Sequence, residues 1–443
     1  MEKRFFLPVC LQELLTDFLA EDKENKDLYL AFYKHAYIIH RLYFSFTAFH
    51  SEYEHNGVSL NIKTLSGILG QSDGTTCSMI ANLENLGIIR AVSGFIIGKQ
   101  SKHYKLTPEY EMVKISMLTV KKSDARFIGK LMFNEKYLID ANKLVRTQYL
   151  ILKNRISLSE EGLSFLKSKY PKLSNAIDCY PGYVDIDYKA GIEPQDIILV
   201  SFLIKDIFVT RPDAKSRIYS NLTSLKKEYR EYLLLDGFPI MTTDLVNSQI
   251  LFSVIVIENK MRQLAGKKDL MPPEDFVRYK TLAQAGKIYE TVALTAGYVL
   301  DETNRKNFKQ SFFKDVFFSE VTSVWTTKIK TAFYTLFPSV AKTIERIKKN
   351  DHSDFAISLQ RMEAGIMIDS IQKQLCKEKI LALTIHDSIV VGNTKELVYA
   401  ETLIQKVLKE KYNLDVVLKQ EKAAKKYIPL NLDKLFYKKP SAA

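Results

Sequence analysis

The segment from Ile380 to Val391 reads Ile-Leu-Ala-Leu-Thr-Ile-His-Asp-Ser-Ile-Val-Val, two apolar, β-branched runs broken by one polar stop. Runs of this kind on either side of a short break predict adjacent strands, a hairpin with His386 and Asp387 at its tip. A carboxylate desolvated between two buried strands is costly unless a cation or a metal meets it. Taken alone, the pair is better read as a polar turn. Its weight comes from what lies upstream.

Gly237-Phe238-Pro239-Ile240-Met241-Thr242-Thr243-Asp244 reads as a turn entering a strand that ends on an acid, with a helix from about Val246 to Asn259 behind it. If that strand lies beside the hairpin, Asp244 and Asp387 become neighbours, and two carboxylates repel unless divalent cations bridge them. Paired carboxylates holding two metals are what in-line phosphoryl transfer needs, one metal activating the attacking oxygen and the other stabilising the leaving group. Between the two acids, Arg305, Lys309, Phe313 and Phe317 recur at i, i+4 steps. On an α-helix they make a stripe about 18 Å long that drifts about 40° per step. Two cations leading into two aromatics suit a nucleoside triphosphate, with the cations on its phosphates and a ring under its base. An amphipathic helix with core aromatics and rim charges has the same pattern, and for an isolated helix that is the usual explanation.

Three pieces thus follow one another: Asp244 with Ser248-Gln249-Ile250, the Arg305/Lys309/Phe313/Phe317 helix, and His386-Asp387-Ser388. Together they resemble motifs A, B and C of the family A DNA polymerases and the related single-subunit phage-type RNA polymerases. Lys215-Ser216-Arg217-Ile218-Tyr219-Ser220-Asn221-Leu222 resembles the primer-template segment before motif A, and Ser358-Leu359-Gln360-Arg361-Met362-Glu363-Ala364 resembles the template-touching helix before motif C. The likeness spans about residues 210–395, roughly half of the chain. It implies a right-hand palm and fingers in which Asp244 and Asp387 bind two magnesium ions, with manganese as a substitute. Arg305 and Lys309 would hold an incoming triphosphate, Phe313 would stack near its base and sugar, and Phe317 and Gln249 would complete the nucleotide site. His386 would sit by the primer terminus. Arg217, Tyr219, Asn221, Gln360 and Arg361 would touch DNA, as primer-template, or RNA.

The chain departs from the family at four points. Leu245 to Asn247 are extra residues between the acid and Ser-Gln-Ile, Leu251-Phe252 replace the acidic steric-gate region of DNA polymerases, and Phe317-Phe318 replace the usual Tyr-Gly. Motif C reads His-Asp-Ser, as in the phage-type RNA polymerases, where DNA polymerases have His-Asp-Glu. The implied function is template-directed nucleotide addition in phage or mobile-element replication, with DNA synthesis placed ahead of RNA or primer synthesis. The rival from another class is a non-catalytic DNA-binding replication initiator, against which the intact Asp244, Asp387, Arg305 and Lys309 argue. The N-terminal region carries no paired-acid exonuclease pattern, so proofreading is not expected.

The N-terminal half offers one recognisable unit. Ile62–Leu69 reads as a short helix, Gly70–Gly74 as a turn and Thr75–Leu86 as a second helix stopped by Gly87. Strand-like Ile88–Val92 and Tyr104–Thr107 flank a basic loop with Lys99, Lys102 and His103. This resembles a winged helix-turn-helix, with Thr75, Thr76, Ser78 and Asn82 on the face that would enter a duplex groove and Lys99 and Lys102 gripping phosphate. The expected fold class is α+β: N-terminal helices over 1–50, the winged-helix-like domain over 51–110, a helical linker or thumb-like region over 111–200, and palm and fingers over 201–440. Within the first region, Leu28 to His50 is aromatic-rich and expected to pack as core. Ser159-Glu160-Glu161 starts a helix that runs through Tyr170.

At 443 residues and 46% hydrophobic, the chain is long enough for two or three domains with substantial cores. Its 64 Lys and Arg against 51 Asp and Glu, a formal +13, favour polyanionic partners through counterion release. Four scattered cysteines without a CxxC pair indicate neither a zinc site nor a disulfide framework, so a reducing, intracellular setting follows, and the resemblance implies the cytoplasm of a bacterial or phage-infected cell. Gln12, Glu13 and Asp17 interrupt what would be a signal peptide's apolar core, and no run reaches the length of a membrane span.

Overall fold

The computed structural model describes residues 2–21, 27–48, 53–54, 56–93, 101–111, 113–140, 142–171, 192–266, 271–320 and 326–422. Lys99, Cys179 and the lysine-rich end beyond residue 422 lie outside them. The described chain divides into two compact units, one of residues up to 210 with 219–239, the other of 211–218 with 240–422. Both combine many helices with small antiparallel sheets, an α+β arrangement. Among the described residues no helix is long and apolar enough to cross a membrane.

The N-terminal unit opens with a strand where helices were expected. β1 (Glu2–Pro8) pairs antiparallel with β5 (Ile115–Lys121), from Glu2↔Lys121 to Pro8↔Ile115. Phe5, Phe6 and Leu7 are all at most 2% exposed, so the strand is covered on both faces and has no alternation to announce it. β5 and β6 (Ile156–Leu158) also place strands within 111–200, where the sequence suggested only helix. The aromatic helix Leu28–Ala48 does pack as core, with Tyr37, Leu42, Tyr43 and Phe46 buried. Residues 49 and 50 are outside the described chain.

Local chemistry sets the helix pair that follows. Asn61 Oδ1 accepts the Thr64 N–H at 3.0 Å to start the helix Ile62–Leu69, and Gly70 ends it at φ +66. Ser72 Oγ accepts the Thr75 N–H at 3.2 Å, so the second helix runs Asp73–Asn85, and Gly87 takes φ +68 beyond it. β2 (Val58–Ser59) and β3 (Ile89–Ser93) flank β4 (His103–Leu106) in a three-stranded sheet beside them.

Thr76 corrects its expected place on a groove-reading face. It is fully buried, in phase with Met79, Ile80 and Leu83, and its hydroxyl lies 2.9 Å from Ser66 Oγ and accepts from Gln71 Nε2 at 3.1 Å. Thr75 and Ser78 are exposed and Asn82 is half-buried. Thr76→Val should therefore lower stability by about 1–2 kcal/mol through lost buried hydrogen bonds, against less than about 0.5 kcal/mol for Ser78→Ala, as read from urea unfolding.

The second unit is built on one sheet with strand order β12-β13-β11-β14: β11 (Met241–Leu245), β12 (Leu383–Ile385), β13 (Ser388–Val391) and β14 (Leu418–Lys422). β12 and β13 form the expected hairpin, with Ile385 opposite Ser388 across a two-residue turn. Helices Ser248–Ala265, Asp354–Ile366 and Thr394–Tyr412 pack with the sheet around a core rich in Phe, including Phe252, Phe312, Phe317, Phe333 and Phe355. Two helices contain a π turn, at Phe313–Phe317 and at Met367–Gln372. Such turns admit one extra residue and shift the phase of everything after them.

Candidate active site

Asp244 enters the site as the fourth residue of β11 and stands opposite Ser388 across the antiparallel pairing with β13. Ser388 Oγ donates to Asp244 Oδ1 at 2.7 Å. Asp387 is the residue directly before that partner, in the hairpin turn. The register thus sets Asp244 opposite the strand residue that directly follows Asp387. Both are half-buried. His386 completes the turn at φ +53, a left-handed conformation that histidine tolerates better than most residues.

A third carboxylate, not anticipated from sequence, lies close by. Glu363 on the helix Asp354–Ile366 is 1% exposed and is gripped by Arg217, Nε to Oε1 at 2.5 Å and Nη2 to Oε2 at 2.6 Å. Gln249 Nε2 also donates to Glu363 Oε2 at 2.8 Å. Burial pushes the Glu363 carboxyl up, Arg217 and Gln249 pull it down, and the charge of Asp387 pushes it up again, leaving it raised. Glu363 thus lies within reach of the charge on the hairpin turn. Arg211 makes a parallel clamp farther along, with two bonds of 2.8 Å to Asp369. Segment 211–218 is therefore fastened by two forked arginine–carboxylate pairs, the geometry that guanidinium serves best. A lone acid in phase with Leu359, Ala364 and Ile366 is the one signal that could have revealed Glu363.

The cationic helix forms a second cluster. Arg305 pairs with Glu290, and its Cζ lies 5.9 Å from the ring centre of Tyr289. Lys309 Nζ is 5.9 Å from the rings of both Tyr289 and Phe313. Tyr289, absent from the sequence expectations, is 2% exposed, and its hydroxyl finds no hydrogen-bond partner among the described residues. Burial holds that phenol well above its ordinary range. Phe317 leaves the stripe. The π turn, closed by Phe318 N–H to Phe313 O at 2.9 Å, rotates it into the core, where it is 0% exposed and packs edge-on to Phe355 at 5.0 Å. It therefore presents no surface to a nucleotide.

The remaining expected contacts divide. Gln360 and Arg361 are exposed on the helix that carries Glu363. Tyr219 belongs to the N-terminal unit, in β8 (Tyr219–Ser220). Asn221 is 1% exposed and structural: its Oδ1 accepts the Phe208 N–H at 2.7 Å and its Nδ2 donates to Asp206 O at 3.1 Å, so it is corrected from a nucleic-acid contact to a loop brace. Lys102 bonds Glu84 at 3.4 Å and lies 5.1 Å over the Tyr104 ring.

No family model matches the chain, and no curated protein matches it. Among solved structures it is similar to the POL domain of Pol1 from M. smegmatis, in complex with DNA primer-template and dNTP. That similarity has 10% identity and a TM-score of 0.41, and covers 68% of this chain and 73% of that one. The chemistry rests on this chain's own side chains.

Proposed function

We propose that the chain is a template-directed nucleotidyltransferase acting with two divalent metal ions, DNA synthesis being the first reading. The observation that carries it is the register that sets Asp244 opposite Ser388, the residue directly after Asp387. The donor set fits magnesium, a hard cation that takes one or two carboxylates and leaves its other positions to water and substrate phosphates. Asp244 and Asp387 would hold the ions, whose chemistry when bound is charge stabilisation of the attacking and leaving oxygens.

The chain's own residues do the positioning. Ser388 fixes one oxygen of Asp244. Arg217 and Gln249 hold Glu363 in place within reach of the charge of Asp387. Arg305 and Lys309 would receive the triphosphate, with Phe313 at the edge of the nucleotide site. In the N-terminal unit, exposed Thr75 and Ser78, with Lys102, would face a duplex.

RNA or primer synthesis is the second reading, favoured by the serine that follows Asp387 and bonds Asp244. Primer extension with dNTPs and NTPs on DNA and RNA templates separates the two. No incorporation under any combination sinks both and leaves the non-catalytic DNA-binding initiator. A finer check lies in the fingers-like helix. Arg305→Ala and Lys309→Ala should each cost on the order of 1.5–3 kcal/mol, roughly 10- to 150-fold in kcat/KM for the nucleotide, with template affinity retained. A gel-shift affinity that collapsed while the nucleotide KM held would make this helix a nucleic-acid clamp instead.

A further inference from the structure

The N-terminal unit contains a cavity of about 360 Å³ that the proposed reaction does not use. β1, the helix Leu28–Ala48, the helix Phe127–Asp140 and residues 206–210 enclose it. Its walls are aromatic. Phe5 stacks on His40 at 5.2 Å, and Phe44 meets Phe208 edge-on at 4.8 Å. Its polar rim brings Lys3 and Arg41 together with the carboxylate of Asp206. Lys3 is occupied by Glu135 at 2.6 Å, whereas the Arg41 guanidinium has no hydrogen-bond or ion-pair partner among the described residues.

His40 defines the chemistry further. Its Nδ1 accepts the Phe6 N–H at 3.0 Å, which places the ring proton on Nε2 as a donor. Burial, then the charges of Lys3 and Arg41, push the ring's pKa down to about 3, so it stays neutral inside a positive field. A volume of this size is that of a small-molecule site. Flat apolar walls, an unpaired guanidinium and a fixed N–H donor together select an aromatic anion. An inorganic anion would need no rings, and an aliphatic chain would need no arginine.

We propose that this cavity binds one nucleotide, free or as the terminal residue of a strand, with its phosphate on Arg41 and the His40 N–H and its base against Phe44 and Phe208. The site is independent of the carboxylate pair, and its test keeps the two apart. Calorimetric titration of the full chain carrying Asp244→Asn and Asp387→Asn, in a chelator, compares adenosine 5′-monophosphate, adenosine and inorganic phosphate. The nucleotide should bind at least tenfold more tightly than either fragment. Arg41→Gln should weaken it at least tenfold, and Ser45→Phe, which fills the cavity without removing a charge, should do the same. A strand whose affinity falls when its 5′-phosphate is removed, and falls again with Arg41→Gln, assigns the ligand to a strand end; binding of the mononucleotide alone assigns it to a free molecule. Equal affinity for phosphate and nucleotide, or folded Arg41→Gln and Ser45→Phe variants that bind as the parent does, overturns the proposal.

Discussion

Asp387→Asn and Asp244→Asn are each expected to lower metal-dependent nucleotide addition by at least about 10³-fold, roughly 4 kcal/mol of transition-state stabilisation. An amide keeps the shape of a carboxylate but not the charge that holds a divalent cation over reacting oxygens. In Asp244→Asn the Ser388 hydroxyl still meets a side-chain oxygen, so the strand pairing keeps its bond and stability should move by less than about 1 kcal/mol. Single-turnover extension of a primed template gives the rate, and circular dichroism reports the fold. Wild-type rates in either variant would remove the carboxylate pair from the reaction.

The second large effect is one of stability. Arg217→Met strips the forked partner from a carboxylate that is 1% exposed and should cost about 3–5 kcal/mol, because the charge left behind is buried and unpaired. The loss should depend on pH. Glu363 already titrates above its ordinary 4.5 and, without the guanidinium, rises further. A carboxyl raised in the folded state holds more protons there than in the unfolded chain. Its contribution is therefore fully present below the unfolded pKa and is lost as the pH climbs from about 4.5 through the folded value. The deficit of Arg217→Met relative to wild type should shrink as the pH falls toward 4.5. Removing both partners, as in Arg217→Met with Glu363→Leu, should cost less than the single change. Urea unfolding at two pH values measures all three, and a single-variant deficit below about 1 kcal/mol at neutral pH would show that the pair is not desolvated as its burial indicates.

What could be read in advance was what is local. The hairpin at 383–391 and the helix pair at 62–85 follow from short-range signals, namely β-branched runs and the glycines that end helices at φ > 0, whereas the Ser72 cap, which starts the second helix at Asp73 and not at Thr75, was not singled out. Thr76 had its signal too: positions 76, 79, 80 and 83 make one helical stripe, and a threonine in phase with Met79 and Leu83 faces inward whatever its polarity. Other features were closed to this kind of reading. β1 is apolar on both faces and acquires its identity only from a partner more than a hundred residues later. Glu363 needs Arg217, which is 146 residues away. Phe317 fitted a regular 3.6-residue repeat, and the π turn takes it out of register.

The pairing of Asp244 with Ser388 spans 144 residues, and it carries a consequence for how the molecule comes into being. At a synthesis rate of about 5–20 residues per second, roughly 7–30 s separate the emergence of the two strands. During that interval β11 has neither neighbour, since β14 is made later still, and its open edges are exposed to other chains. Closing so long a loop is also slow compared with helix formation. The carboxylate pair is thus among the last things a growing chain acquires. A product released before residue 387 would carry Asp244 without its mate, so on the proposed reading interrupted translation yields fragments that lack the metal-holding pair.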